Sequence, residues 1–174
     1  MRRFSIFIIS LLLKFIWSFI YYHAAVSAHK IWVFYYIIRI IIIINPKNKC
    51  KLFKRAILHD ISKYQWKESK YILPFIFDLK KTTFGTKDYE ILLKKIKPAS
   101  DNHYKINRHH PEYYRNGIYD MKEEDILELI ADWIAATKRH KNGDIFRSIE
   151  SCQKRFRYSN ILKTYITNIV KQII

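Results

Sequence analysis

Glycine and proline are so scarce in this 174-residue chain, three and four in all, that it lacks the material for the tight turns an all-β fold needs. Helices are therefore expected to dominate, giving an all-α fold, and the length suits one ordinary core. Over residues 25–44, Ala25, His29, Trp32, Val33, Tyr36 and Ile40 recur at helical spacing, which puts His29 on a buried face. That helix is expected to end at Asn45-Pro46. A second helix is read over residues 52–71, with Leu52, Ala56, His59 and Lys63 along one side. Residues 75–97 are less regular and break around 82–86. A short helix over 101–110 places His103, Asn107 and His110 on one face and stops at Pro111. Asp120 with Glu123 reads as a capping box, opening a helix with the apolar stripe Ile126, Ile130, Trp133, Ile134 and Thr137. Glu128, Asp132 and Arg139 fall on its other side. The turn Asn142-Gly143-Asp144 leads into a last helical stretch with Ile149, Phe156, Ile161, Ile166 and Ile169 as core candidates.

Residues 1–24 are read separately from a body over 25–174. Arg2 and Arg3 precede an apolar run over residues 4–22 of about membrane-spanning length, interrupted by Lys14. Two readings stand for it: association with a membrane, or a buried or amphipathic first helix. Cys50 and Cys152 have no CxxC spacing and form no disulfide framework, which points to an intracellular, reducing compartment. The net charge of +17 suits phosphate, nucleic acid or an anionic membrane surface. Its 32 Lys and Arg are scattered and no nucleic-acid motif concentrates them. GxxxxGK[ST], GxSxG and GxGxxG are all absent, which removes the P-loop, nucleophile-elbow and dinucleotide-binding classes.

The chemistry is carried by His29, His59-Asp60, His103, His109-His110 and Asp132. Imidazole with carboxylate is the ligand mix of borderline divalent metals, and a mononuclear zinc site would use only three or four such groups. The surplus points to two divalent ions about 3.5–4 Å apart, as in metal-assisted phosphate hydrolysis. Mn, Fe, Mg, Zn, Co and Ni all fit that ligand set. Asp60 is read as the bridging carboxylate. Glu128, one turn before Asp132, is read either as orienting a ligand histidine or as a base on the attacking water. Lys63, Arg108 and Arg139 are the candidates for phosphate contacts. His23 is read as structural and His140 as solvated.

Ala56-Ile57-Leu58-His59-Asp60-Ile61-Ser62-Lys63 resembles the signature of the HD-domain metal-dependent phosphohydrolases. Ile130-Ala131-Asp132 is similar to the context of the last ligand in those enzymes, and the order His29, His59-Asp60, further histidines, Asp132 matches theirs over about residues 25–140. His109-His110-Pro111-Glu112, followed by Asn116-Gly117-Ile118-Tyr119, looks like a segment of the cyclic-dinucleotide branch; among departures from HD enzymes, Ser62 stands where glycine is usual and Pro111 separates the paired histidines from Glu112. The resemblance implies an HD-like helical bundle, two metals and hydrolysis of a nucleotide or another phosphate-containing small molecule. HD-like scaffolds also hold two irons and activate oxygen, which gives the alternative enzymatic reading. A membrane- or nucleic-acid-associated protein with structural histidines is the non-enzymatic one. The pattern His59-Asp60-Ile61-Ser62-Lys63 with His109-His110-Pro111-Glu112-Tyr113 also resembles a family of uncharacterised phage, bacterial and large-virus proteins.

Overall fold

The structure, a computed structural model, describes residues 2–83, 86–139 and 142–174, with side chains from Phe7 onward. Among these residues the regular elements are all helical. The α-helices are α1 (Arg2–Ile43), α2 (Lys49–Leu58), α3 (Trp66–Ile72), α4 (Ile76–Lys81), α5 (Lys87–Ile106), α6 (Glu123–Thr137), α7 (Ile145–Phe156) and α8 (Asn160–Ile173). Short 3-10 turns occupy Ile61–Tyr64, Leu73–Phe75, Pro111–Tyr113 and Gly117–Asp120. The chain is all-α, as its composition implies.

Helix α1 ends just before Asn45-Pro46, as its sequence predicts, whereas the ends at Asp60 and Arg157 have no glycine or proline beside them. Asn45 (φ 50°), Asp60 (φ 55°) and Arg157 (φ 53°) all take the left-handed conformation in place of glycine. Asn and Asp are the side chains that accept it at least cost. The helix read over residues 52–71 is therefore divided: α2 stops at Leu58, and His59 and Asp60 turn the chain into the Ile61–Tyr64 segment before α3 begins. The last helical stretch is divided in the same way at Arg157, and Ser159 caps α8 by accepting the Leu162 N–H at 3.2 Å. The helix carrying His103 is longer than its local pattern suggests and ends at Ile106, so His110 stands on the following turn. Asp120 does not cap α6. Its carboxylate accepts the Asn116 N–H at 2.9 Å, while Asp125 accepts the N–H of the cap residue Lys122 at 2.9 Å. Helix α1 runs through residues 24 and 25 without interruption. His140 lies outside the described residues, as does part of the break read at 82–86.

The chain divides into two compact units. The first comprises Met1–Ser27 and Ile61–His103. Its small core gathers Tyr22, Val26 and Leu73, with Ile72 and Ile76 packed against them. The Tyr22 hydroxyl donates to the Lys63 carbonyl at 2.9 Å, tying α1 to the Ile61–Tyr64 turn. The second unit comprises Ala28–Asp60 and Tyr104–Ile174. Its core joins Val33, Ile37 and Ile40 of α1 to Leu52 and Ala56 of α2, Leu127, Ile130 and Ile134 of α6, Ile149 of α7, and Ile166 and Ile173 of α8. Fully burying each such isoleucine or leucine contributes roughly 1.5–3 kcal/mol. Ile161 stays outside this core at 84% exposure. The buried stripe of α8 is Ile166, Ile169, Val170 and Ile173, and helical periodicity turns Ile161 to the opposite side.

Candidate metal centre

Helix α6 is buried along most of its circumference, including its charged residues Glu124, Asp125 and Glu128. Burying carboxylates is costly unless cations or hydrogen-bond donors meet them. Those partners come largely from α2 and the cap that ends it, where Lys51, Arg55 and His59 recur every four residues. They meet the acids of α6 in the same order along both helices. Lys51 pairs with Glu124, and Arg55 binds Asp125 through Nη1 and Glu128 through Nε at 2.6 Å. His59 then bonds Glu128 through Nδ1 at 2.8 Å. Because α2 ends at Leu58, the turn that follows carries Asp60 into the same place, and the left-handed backbone of Asp60 aims its carboxylate there.

Three imidazoles present their Nε2 atoms to two carboxylates. His29 Nε2 lies 2.9 Å from Asp132 Oδ1 and 3.6 Å from Asp60 Oδ2. His59 Nε2 lies 3.4 Å from Asp60 Oδ2 and 3.8 Å from Asp132 Oδ1. His109 Nε2 approaches the other oxygen of the same carboxylate, Asp60 Oδ1, at 3.4 Å. His110 completes this side, with one ligand atom each from Asp60, His109 and His110 within 4.8 Å of one another. All of these side chains are buried or nearly so, His110 being intermediate.

The spacings discriminate between ion pairing and coordination. Two ligands each ~2.1 Å from one ion are ~3.0 Å apart at a right angle and ~3.4 Å apart in a tetrahedron. Apart from the 2.9 Å contact of His29, which suits a hydrogen bond equally well, the separations of 3.4–3.8 Å are long for hydrogen bonds and ordinary for ligands of one cation. His59 Nε2 is fully buried and makes no hydrogen bond. The donor set of imidazole nitrogen and carboxylate oxygen therefore fits a metal ion.

Glu128 fixes how the histidines face. Its Oε1 lies 2.8 Å from His59 Nδ1 and 3.3 Å from His109 Nδ1, while Arg55 holds Oε2. With both Nδ1 atoms turned to a carboxylate, both Nε2 atoms are left to the centre, the arrangement by which ligand histidines are oriented in metal sites. Burial would raise the Glu128 carboxyl, but its bonds to His109 and His59 win and hold it well below the usual range. Burial would likewise lower His59. The nearby Asp60 carboxylate together with the bond to Glu128 outweighs this and raises it to about 9. Asp132 is held well below the usual range by its bond to His29, against the opposing effect of burial.

The remaining sequence candidates stand as follows. His103 and Lys63 belong to the first unit. There His103 Nδ1 sits 3.2 Å from Glu68 Oε2 and 3.2 Å from Ser62 Oγ, and all three side chains are buried. Asn102 donates to the other oxygen of Glu68 at 2.8 Å. Lys63 is half-buried on the Ile61–Tyr64 turn. Arg108 is partly exposed, 3.4 Å from Asp125 and lying over the rings of Tyr113 and Tyr114. Arg139 is exposed just beyond the end of α6. His23 stacks on Tyr64 in the first unit, in keeping with a structural part.

Residues 18–174 match the family of unknown function DUF5662. The chain belongs to this family. No curated protein and no solved structure shows significant similarity to it. Every residue of the candidate centre described above, from His29 to Asp132, falls within the matched region. Sequence reasoning missed Arg55, Asp125 and Glu68. For Arg55 and Asp125 a signal exists: the four-residue repeat Lys51, Arg55, His59 has an acidic counterpart at Glu124, Asp125, Glu128 and Asp132.

Proposed function

We propose that this protein is an HD-like, two-metal phosphohydrolase acting on a nucleotide or another phosphate-containing small molecule. The observation that carries the reading is the sharing of Asp60 between two ligand sets. Its Oδ2 faces the Nε2 atoms of His29 and His59, with Asp132 beside them, and its Oδ1 faces His109 Nε2, with His110 beside it. A carboxylate offering one oxygen to each set is what a bridge between two cations requires. The order of these residues along the chain, and their resemblance to the HD signature, support the same reading.

When bound, a pair of divalent ions supplies Lewis acidity and makes water a nucleophile near neutral pH. The chain's own residues prepare that chemistry. Glu128 keeps the Nδ1 atoms of His59 and His109 engaged, so their Nε2 lone pairs stay directed inward. Arg55 neutralises Glu128 and Asp125, which keeps the carboxylates of α6 ionised although buried. These duties make Glu128 an orienting carboxylate, not a base on the attacking water. Arg108, held by Asp125 and partly exposed, is the guanidinium best disposed to meet a phosphate oxygen.

The test is a metal-loaded, full-length protein presented with nucleotides and chromogenic phosphate mono- and diesters. Turnover that requires metal and is lost in Asp60→Asn is the expected result. Full metal occupancy with no ester turned over would overturn hydrolysis, and oxygen uptake by the iron-loaded protein would favour the oxygenase alternative.

A further inference from the structure

Outside the metal centre, the second unit carries an open apolar hollow of about 540 Å³ between α1 and α2. Ile38 and Ile41 of α1 and Cys50, Phe53 and Ile57 of α2 line it, with Lys49 and Lys54 at its rim. Other apolar residues of the same two helices are also exposed: Ile31 by 68%, Ile42 by 73% and Leu58 by 58%. Helix α2 is thus two-faced. Leu52 and Ala56 point into the protein, while Phe53, Ile57, Lys49 and Lys54 are exposed. Nothing in the metal chemistry uses this outer face.

We propose that the α1–α2 hollow is a membrane-docking surface that seats on an anionic lipid bilayer, its isoleucines and Phe53 entering the acyl boundary and Lys49 and Lys54 meeting lipid phosphates. Lysines ringing an apolar face are the pattern of a helix lying in the plane of an anionic interface. The charge of the chain, +17, complements such a surface and opposes pairing with a second copy carrying the same rim. The first unit adds an independent argument. From Phe7 to Trp17 every residue of α1 is exposed, and all but Ser10 and Lys14 are apolar. Nine of these eleven residues are apolar and none is buried, an exposure that lipid surrounding the helix covers more completely than a partner protein docking on one side. Mean hydropathy over an 18-residue window within Phe7–Ile43 reaches 1.6, enough in length and composition to enter a bilayer.

Cys50 lines the hollow and is exposed, which makes it a reporter. The full chain with Cys152→Ser would be labelled at Cys50 with a polarity-sensitive fluorophore and mixed with vesicles of phosphatidylcholine alone or with added phosphatidylglycerol. A blue shift on the anionic vesicles that weakens with salt is expected. Lys49→Glu with Lys54→Glu should weaken that shift roughly tenfold or more in lipid concentration, with helicity by circular dichroism unchanged. The N-terminal helix can anchor the chain to either vesicle, so co-sedimentation reports that helix and the fluorophore reports the hollow. Co-sedimentation without a shift at Cys50 would overturn the proposal. So would a shift that appears without lipid and grows with protein concentration, because a second copy would then cover the face.

Discussion

Arg55→Met is the substitution that most searchingly tests how the centre is held together. The Arg55 side chain is 14% exposed, and its guanidinium serves two buried carboxylates, Asp125 and Glu128, whose side chains are 0% and 4% exposed. Methionine keeps much of the side chain's volume and removes all of its charge. Breaking a buried ion pair by deleting one partner costs about 3–5 kcal/mol, because the abandoned charge stays desolvated. For a chain of this length that is roughly 6–20 °C in Tm. The loss should also reach the metal: without Arg55, Glu128 no longer holds both Nδ1 atoms firmly, and loss of such an outer partner lowers metal affinity by about 10–100-fold. Thermal unfolding of the metal-free protein measures the first effect, and competition with a chromogenic chelator measures the second. Combining Arg55→Met with Glu128→Leu removes both charges of one pair, so it should recover part of the stability and none of the affinity. A single variant with unchanged Tm and unchanged affinity would refute the assignment of Arg55 and Glu128 as the support of the histidines.

Asp60→Asn should keep the fold, since asparagine also accepts the left-handed backbone at φ 55°, yet lose metal binding and hydrolysis together; wild-type metal content in that variant would contradict the bridge. The pH dependence has a definite sign. In the metal-free protein the folded His59, at about 9, titrates above its ordinary 6.5, so its stabilising contribution is fully present below pH 6.5 and lost as pH rises through about 9. Glu128 is depressed from 4.5, so its contribution is present above that pH and lost on acidification. A metal must displace the His59 proton, so affinity should rise by up to about tenfold per pH unit between pH 6.5 and 9, and a flat profile in a metal titration would rule His59 out as a ligand.

The helical class and most of the centre were legible because they rest on residue types with few other uses. His29 lay on an apolar stripe, and His59-Asp60, His109-His110 and Asp132 bring together imidazoles and carboxylates, groups that are costly to bury without partners. Helix boundaries were less legible for a specific reason. The end of α1 before Asn45-Pro46 was legible, but with only three glycines to mark turns the chain also leaves the helix at Asp60 and Arg157, and a left-handed Asp or Arg looks like any other helical residue in a one-dimensional pattern. The part played by Glu128 needed tertiary information as well. It lies 69 residues from His59, and the sequence admits either an orienting carboxylate or a base, whereas the fold shows its bond to His59 and its neutralisation by Arg55. Ile161 failed in the opposite sense, since composition offered it to the core and the phase of α8 turned it out.

The most direct measurement of the central claim is a metal-soaked crystal structure of the full chain, with anomalous scattering recorded at the absorption edge of the added ion. Two peaks about 3.5–4 Å apart are predicted, one bounded by His29, His59, Asp60 and Asp132 and the other by Asp60, His109 and His110. Peaks confined to surface sites, with the imidazoles of His29 and His59 bonded only to Asp60 and Asp132, would contradict it.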